Sequence, residues 1–177
     1  MPDIFETATI LTERLRLEPF AIAHAPALNA INNEPQVMEF LTFGKPETQD
    51  ETLNKIRQVR ERWQTLHFGW WALIRHDTNS IIGAACLQHV ANDPAAPLEI
   101  GWRLTGSATG KGYATEAGKA AASYAFDIIG LDQVIAVAHQ NNIASHRVME
   151  RIGMRFRGIE THYNEPCKTY VLQKSGL

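Results

Sequence analysis

The chain has 177 residues, a length that suits one domain with its own apolar core. Its 17 basic residues are balanced by 19 acidic ones, and the net charge of −2 excludes the strongly basic surface typical of nucleic-acid-binding domains. No stretch approaches the ~18 uncharged apolar residues of a membrane span, and the N-terminus has early acids and no apolar h-region. We therefore expect a cytoplasmic protein with no membrane span and no secretory signal.

The N-terminal third predicts one strand and three helices. Alternation over 14–18 indicates a half-buried strand that Pro19 ends. Residues 22–33 carry a short apolar stripe and favour a helix, and 35–41 favours a second short helix with proline at its first position. Apolar residues at spacings of three and four over 48–66 predict a longer amphipathic helix.

The middle of the chain predicts strands. Residues 70–75 and 81–90 form a hairpin around a polar turn, and a loop at 92–97 precedes a third strand over 98–104. That third strand alternates, so its side chains divide between two faces. One face carries Leu98, Ile100, Trp102 and Leu104, and the other carries Glu99, Gly101 and Arg103.

The C-terminal part alternates helices with strands. A helix over 113–129 with Gly130 as its stop is followed by a buried strand over 133–138 and a helix over 143–152. Two strands at 155–163 and 168–172 then surround a turn at 164–167. The inward positions are Ala114, Ala117, Ala121, Tyr124, Ala125 and Ile128 in the first helix, and Ala144, Val148 and Ile152 in the second. This order predicts a single domain over 1–177 of mixed α/β or α+β class.

The segment T-G-K-G-Y-A-T-E-A, residues 109–117, has two glycines around a lysine where a helix must begin. It is not a P-loop, because Gly106 is one residue too close to Gly110 and Gly112 replaces the magnesium-binding hydroxyl. It is not a dinucleotide fingerprint either, because Thr115 stands at the third glycine position. Two interpretations stay open: a site that binds a phosphate at a helix N-terminus, or a plain glycine turn with Lys111 in solvent.

Three ordered motifs resemble the GNAT superfamily of acetyl-CoA-dependent N-acetyltransferases: E-I-G-W-R-L at 99–104, the glycine segment, and N-x-A-S-x-R-V-M-E-R-I-G-M at 142–154. The strand T-E-R-L-R-L at 12–17 is similar to the branch that contains the ribosomal-protein N-terminal acetyltransferases. The resemblance runs from about residue 10 to 172. It implies a central, mostly antiparallel twisted sheet with splayed central strands and flanking helices.

The resemblance also implies how acetyl-CoA is bound. The superfamily loop Q/R-x-x-G-x-G/A maps onto 109–114, where Gly112 and Ala114 match and Thr109 departs. Backbone amides of this loop would hold the pyrophosphate. The implied loop residues are Thr109, Gly110, Lys111, Gly112, Tyr113 and Ala114. Asn142 is assigned to the pantetheine amides, with a plain N-cap as the other interpretation.

Attack of an amine on a thioester needs a base, donors for the oxyanion and a fate for the thiolate. We take Glu99 as the candidate base, against the alternative of a surface strand glutamate. Strands of the family splay or bulge here and leave an amide free, so the resemblance implies the backbone N–H groups of Trp102, Arg103 and Leu104 as oxyanion donors. Gly101 is compatible with a bulge. The resemblance assigns Ser145 to the thiol end of the coenzyme as a possible acid. Many superfamily members use a tyrosine further along this helix instead, and because none lies between 141 and 153 here, Ser145 or water would serve at the sulfur.

Other residues carry weaker signals. Cys86 and Cys167 form neither a C-x-x-C pair nor a disulfide framework, and the histidines lack metal-ligand spacing, so we expect no metal. The tryptophans Trp70, Trp71 and Trp102 are core or acceptor-cleft residues. An acidic set could face a cationic acceptor or could be a solvated helix face. Its members are Glu34, Glu39, Glu47, Asp50 and Glu51.

The sequence therefore predicts an enzyme that moves an acetyl group from acetyl-CoA to a primary amine in a ternary complex. The amine could belong to a protein N-terminus or a small molecule, and 34–66, 90–97 and 160–167 would select it. The alternatives are a non-catalytic acyl-CoA sensor of the same fold and an unrelated nucleotide-binding protein. Strand edges at the C-terminus make a homodimer plausible.

Overall fold

A computed structural model describes residues 3–41 and 44–176. It has one eight-stranded sheet in the order β1-β2-β3-β4-β5-β6-β8-β7. The strands are β1 (Ile10–Leu11), β2 (Leu15–Pro19), β3 (Trp70–Arg75), β4 (Ile81–His89), β5 (Leu98–Leu104), β6 (Gln133–His139), β7 (Arg155–His162) and β8 (Glu165–Gln173). All neighbours are antiparallel except β5 and β6, which are parallel. The predicted mixed fold with a mostly antiparallel sheet is confirmed.

The sheet opens at its centre. Strand β5 pairs with β4 along its whole length without a register shift, whereas it pairs with β6 at one position, Glu99 opposite Ile135. Beyond that pair β5 and β6 diverge, which confirms the predicted splay. The opening therefore begins beside Glu99 and widens towards the end of β5.

Six α-helices connect and cover the strands within the described residues. They are α1 (Ile4–Thr7), α2 (Ala25–Asn32), α3 (Pro35–Leu41), α4 (Gln49–Leu66), α5 (Tyr113–Asp127) and α6 (Ile143–Ile152). Helix α4 begins with a capping box, in which Thr48 Oγ1 accepts from the Glu51 N–H and the Glu51 carboxylate accepts from the Thr48 N–H. No helix in the described ranges combines the length and the apolar character needed to cross a bilayer.

The alanine-rich face of α5 packs closely on the sheet, as its composition predicts. At Gly118 an added Cβ would lie 2.4 Å from Ile152 Cδ1 and 3.2 Å from Trp102 Cζ3. No side chain fits between α5, α6 and β5 at this point. Helices α5 and α6 therefore cover the face of β5 that carries Trp102, while α2 contacts Arg103 on the opposite face.

Two of the predicted inward positions are wrong. Helix α5 ends at Asp127, and Ile128, in the C-cap position, is 67% exposed. Helical periodicity does not extend past the last helical residue, so the predicted stripe included one position too many. In α6 the buried residues are His146, Met149 and Ile152, and Ala144 is exposed. The three buried residues share one face of the helix at spacings of three, and Ala144 lies outside that face.

The predicted turn at 164–167 is also wrong. Strand β8 begins at Glu165, and Tyr163 and Asn164 alone connect it to β7. Both have positive φ, 54° and 62°, which is typical of a two-residue type I′ hairpin turn. Cys167 is buried in the ladder opposite Glu160. The sequence pattern misled because Pro166 signals a turn, although it lies within β8 here.

Candidate active site

The segment that joins β5 to α5 presents a run of free backbone N–H groups. In the glycine loop (109–114), Thr109 N–H bonds to the Gly106 carbonyl, and the next N–H with an acceptor belongs to Glu116, which bonds to Gly112. The N–H groups of 110–115 have no acceptor within the described part of the chain. Unpaired amides at a helix N-terminus attract an anion, because the helix dipole adds partial positive charge there.

Glycine is required in this loop by backbone conformation. Gly110 and Gly112 have φ of 73° and 84°, the left-handed region that side chains disfavour. An added Cβ at Gly110 would meet nothing within 4 Å, so space for a ligand remains in front of the loop. Behind it, the Thr115 hydroxyl is buried without a hydrogen-bond partner. These features suit a phosphate-binding loop better than a plain glycine turn.

The N-terminal segment fixes one side of the glycine loop. The Glu116 carboxylate accepts from Thr12 Oγ1 at 2.7 Å, and from the Arg14 N–H and Nε at 2.8 and 2.7 Å. Arg14 Nη1 then donates to the Lys111 carbonyl at 2.9 Å, and the guanidinium lies 4.4 Å from the centre of the Tyr113 ring. Sequence reasoning used T-E-R-L only as a strand and missed this contact.

The turn between α2 and α3 fixes the chain just before the glycine loop. Glu34 Oε1 accepts from Thr105 Oγ1 at 2.5 Å, and Oε2 accepts from the Gly106 N–H at 2.8 Å. Glu34 therefore connects the helices over one face of the sheet to the end of β5. The sequence carries no local signal for this contact, because its partners are about 70 residues apart.

Glu99 lies in the sheet where β5 and β6 begin to diverge. Its residue is 5% exposed, which excludes the alternative of a surface strand glutamate. Its Oε1 accepts from Gln88 Nε2 at 3.1 Å and from the Tyr163 hydroxyl. Burial raises the pKa of Glu99, and the two hydrogen bonds only partly oppose this rise. A buried carboxylate with a raised pKa beside an opening in the sheet is suited to accept a proton.

Gln88 and Tyr163 were not singled out by sequence reasoning. Gln88 lies opposite Glu99 in the β4–β5 register, and its Oε1 accepts from Trp70 Nε1 at 2.7 Å. That bond orients the amide so that its NH₂ group points to Glu99. Trp70, predicted as a core or cleft residue, therefore reaches the carboxylate through Gln88, whereas Trp71 is completely buried.

Arg103 is half-buried, and its side chain lies away from Glu99. Its Nε donates to Asn32 Oδ1 at 2.7 Å, and its guanidinium lies 4.5 Å from the centre of the Trp70 ring. Burial lowers the pKa of Arg103 to about 10. The Arg103 side chain therefore contacts α2. Only the backbone N–H of Arg103 was a candidate oxyanion donor, and it lies within β5.

Successive backbone N–H groups in β5 point in opposite directions, so the three predicted oxyanion donors do not all face the same neighbouring strand. Thr105 N–H bonds to the Ile82 carbonyl on β4, and the unshifted register repeats this direction at Arg103. The N–H groups of Trp102 and Leu104 therefore point to the β6 side, beyond the single β5–β6 pair. These two N–H groups face the opening in the sheet because β5 and β6 diverge there. No bulge at Gly101 is involved, since β5 pairs with β4 without a register shift.

Asn142 and Ser145 lie at the start of α6. Asn142 caps the helix, since its Oδ1 accepts from the Ser145 N–H at 3.2 Å. Its Nδ2 and the Ser145 hydroxyl have no hydrogen-bond partner among residues 3–41 and 44–176. The N-cap interpretation of Asn142 is correct, and it leaves the amide nitrogen free to donate to a ligand.

The model of the acetyltransferase (GNAT) domain family matches residues 14–155. This chain belongs to the GNAT acetyltransferase family. It is 28% identical over 170 residues to the FsC-acetyl coenzyme A-N(2)-transacetylase of Aspergillus fumigatus, a match that covers 89% of this chain and 68% of that protein.

Solved structures agree with this assignment. A crystal structure of an acetyltransferase from Agrobacterium tumefaciens is 27% identical, with a TM-score of 0.80 and 94% of each chain covered. RimL, a ribosomal L7/L12 alpha-N-protein acetyltransferase solved in complex with coenzyme A, is 17% identical, with a TM-score of 0.77 over 93% of this chain and 96% of that chain. The RimL likeness shows the GNAT fold.

The acidic set of this GNAT chain does not form one patch. Glu47 is buried, and its carboxylate accepts from Asn32, Thr52 and Lys55. Burial would raise the pKa of Glu47, but these hydrogen bonds outweigh it and lower the pKa. Glu47 therefore fits neither interpretation of the acidic set, because it neither faces a cationic acceptor nor lies on a solvated helix face. Within the described ranges no group of three or more His, Cys, Asp or Glu side chains could hold a metal ion.

Proposed function

We propose that this protein transfers an acetyl group from acetyl-CoA to a primary amine. The observation that carries the proposal is the run of unpaired N–H groups at 110–115. This run follows β5, the strand that bears the buried Glu99. Family membership supports the same reaction, and RimL binds coenzyme A on the same fold.

The residues of the glycine loop suit a pyrophosphate. The amides of 110–115 would donate to its oxygens, and the exposed Lys111 side chain adds a full positive charge. Asn142 Nδ2 would donate to the pantetheine arm. When bound, acetyl-CoA supplies the thioester carbonyl that the amine attacks.

Protein groups would handle the protons and the developing charge. Glu99 accepts a proton from the acceptor ammonium, which frees the nitrogen lone pair to form the new N–C bond as the C–S bond breaks. The N–H groups of Trp102 and Leu104 donate to the carbonyl oxygen where negative charge develops. The Ser145 hydroxyl donates a hydrogen bond to the departing sulfur, and water carries the second proton that the attacking nitrogen loses to that sulfur, which gives the amide and the CoA thiol.

The acceptor class stays open between a protein α-amino group and a small-molecule amine. The names of relatives differ in the acceptor position: one is an N(2)-transacetylase, and RimL is a ribosomal L7/L12 alpha-N-protein acetyltransferase. We place the reaction in the cytoplasm, because Cys86 and Cys167 are free buried thiols, which a reducing compartment maintains. A homodimer stays a prediction.

Two measurements test the proposal. Calorimetry with acetyl-CoA up to millimolar concentration should show saturable binding, and its absence would reject the cofactor assignment. Release of the CoA thiol is then followed with spermidine, lysine, an aminoglycoside and an alanine-initiated peptide. Turnover with one of these supports the enzyme, while tight binding without turnover across a broad amine library favours the acyl-CoA sensor.

A further inference from the structure

A tyrosine from the far end of the sheet reaches the proposed base. Tyr163 occupies the first position of the β7–β8 turn, 64 residues from Glu99 in the chain, and its hydroxyl donates to Glu99 Oε1. Its backbone has φ of 54°, an uncommon conformation for a bulky side chain. A bulky residue held in this conformation points to a role for the side chain beyond closing the turn.

The tyrosine completes a small hydrogen-bonded group. Gln88 Nε2 donates to Glu99 Oε1 at 3.1 Å and lies 3.4 Å from the Tyr163 hydroxyl oxygen. Trp70 holds the other end of the Gln88 amide. Both donors therefore meet one carboxylate oxygen, Oε1. Oε2 has no hydrogen-bond partner among residues 3–41 and 44–176, so it is free for an acceptor ammonium.

We propose that Tyr163 is a positioning residue that holds the Glu99 carboxylate in place and favours its ionised form during acetyl transfer. This inference rests on the proposed role of Glu99 as the base. It assigns a function to the β7–β8 turn, which the sequence analysis named only as part of the acceptor region. The Tyr163 residue is 42% exposed, so its ring also lies at the solvent side of the site.

The charges around Glu99 agree with this role. The titratable groups that face it are Tyr163 from the turn, Cys86 from β4 and Cys167 from β8. Burial raises the pKa of both thiols, so they stay neutral. Arg103 lies four residues along β5, about 13 Å away at ~3.3 Å per residue, and bonds to Asn32. The hydrogen bonds that Tyr163 and Gln88 donate therefore favour the ionised form of Glu99, whereas burial favours its protonated form.

Tyr163 does not replace the tyrosine that α6 lacks. Burial, and then the nearby Glu99 charge, raise the pKa of Tyr163, so the phenol keeps its proton at neutral pH. The phenol donates that proton to the Glu99 carboxylate, whereas Ser145 lies in the first turn of α6. The phenol is therefore a permanent hydrogen-bond donor to the base, not an acid for the sulfur.

The first experiment needs no acceptor. The full-length protein is labelled with ¹³C at glutamate carboxyls, and the Glu99 signal is identified by its loss in Glu99→Gln. In Tyr163→Phe this signal should titrate at higher pH than in the wild type, because the ionised form has lost a donor. Tyr170→Phe is the matched control, since Tyr170 lies on β8 of the same hairpin and its hydroxyl donates to a different carboxylate, Glu150 Oε1 on α6, at 3.3 Å. An unchanged Glu99 titration in Tyr163→Phe would overturn the proposal.

A second variant protects the test against misfolding. Tyr163→Asn removes the donor and places in the turn a residue that accepts positive φ, so the hairpin should form. Both variants should shift the Glu99 titration in the same direction while their thermal unfolding stays cooperative. A shift in neither folded variant rejects the coupling.

Turnover provides an independent readout. With acetyl-CoA and the amine that gave thiol release, Tyr163→Phe should lower kcat/KM about tenfold on the acidic side and less than about twofold at alkaline pH. A loss that is equal at all pH values would indicate a structural role and reject the proposal. If no amine is acetylated, the proposed function fails, while the carboxyl titration still decides the Tyr163–Glu99 coupling.

Discussion

Arg14 and Glu116 connect the first long strand of the sheet to the first turn of α5. The backbone N–H of Arg14 and its Nε both donate to the Glu116 carboxylate, and Nη1 continues to the Lys111 carbonyl. One arginine thus bridges the helix that begins at the glycine loop and the loop itself. We infer that this contact holds the loop amides in position before coenzyme binding.

Replacing Glu116 with glutamine should test this contact. Glutamine keeps the size but loses the charge, so the unfolding free energy should fall by about 1–2 kcal/mol and affinity for coenzyme A should fall several-fold. Chemical denaturation and calorimetry measure the two effects. Glu61→Gln, on the exposed face of α4, is the control and should change neither. Unaltered coenzyme affinity in Glu116→Gln would show that the loop holds its shape alone.

The same residue predicts a pH dependence of stability. Burial opposes ionisation of Glu116, but hydrogen bonds from Thr12 and Arg14 outweigh it and lower its pKa. Stability from this carboxylate is therefore fully present above its unfolded-state pKa and is lost as pH falls through the lower folded-state value. Denaturation measured from pH 7 to 3 should show a shallower loss in Glu116→Gln. Identical slopes would contradict the prediction.

Gly112→Ala should lower the affinity for coenzyme A in addition to the free energy of unfolding, because Gly112 lies in the glycine loop. Its φ of 84° costs an alanine about 1–2 kcal/mol, and the new Cβ would lie 3.3 Å from Arg14 Nη2. Gly130→Ala is the matched control, because Gly130 has φ of 82° and an added Cβ there meets nothing within 4 Å. Both variants should lose similar stability in denaturation, and only Gly112→Ala should lose affinity in calorimetry. Equal affinities would remove the loop from the binding site.

Glu99→Gln should lower turnover by at least about a hundredfold, because proton transfer by a positioned base contributes about 10²–10⁴. Coenzyme affinity should stay close to that of the wild type, since the glycine loop is untouched. Steady-state rates from pH 6 to 9 and calorimetry separate the two effects. Glu6→Gln, at an exposed position on α1, is the control for loss of a carboxylate. Full activity in Glu99→Gln with an unchanged pH profile would mean that another group is the base.

Ser145→Ala should have a small effect on the rate. The serine hydroxyl has a pKa far above 7, so it can stabilise the departing sulfur by a hydrogen bond but is a poor proton donor. We expect kcat to fall by less than about tenfold, with coenzyme affinity unchanged, because one neutral hydrogen bond contributes about 1 kcal/mol. A loss above a hundredfold would make Ser145 an obligatory acid. Ala144→Ser, at the neighbouring exposed position, controls for changes at the start of α6.

The candidate site could be predicted where its residues depend on local pattern. The glycine loop requires positive φ at Gly110 and Gly112, and such positions are visible in a sequence because few other residues accept them. Glu99 became the candidate base from its place on an alternating strand together with the family resemblance. Tyr163, in contrast, was hidden because Pro166 suggested a longer turn, and a two-residue turn is what brings its ring back to the sheet.

By itself the sequence determined most of the helices and strands, the family and the position of the glycine loop, because periodicity, caps and glycine conformation act over a few neighbouring residues. Only the tertiary structure decided what surrounds that loop and the proposed base. Arg14 meets Glu116, Glu34 meets Thr105, and Tyr163 meets Glu99 across 64 to about 100 residues of chain. Such contacts depend on strand order, register and one turn length, and a single sequence does not encode them as a local pattern.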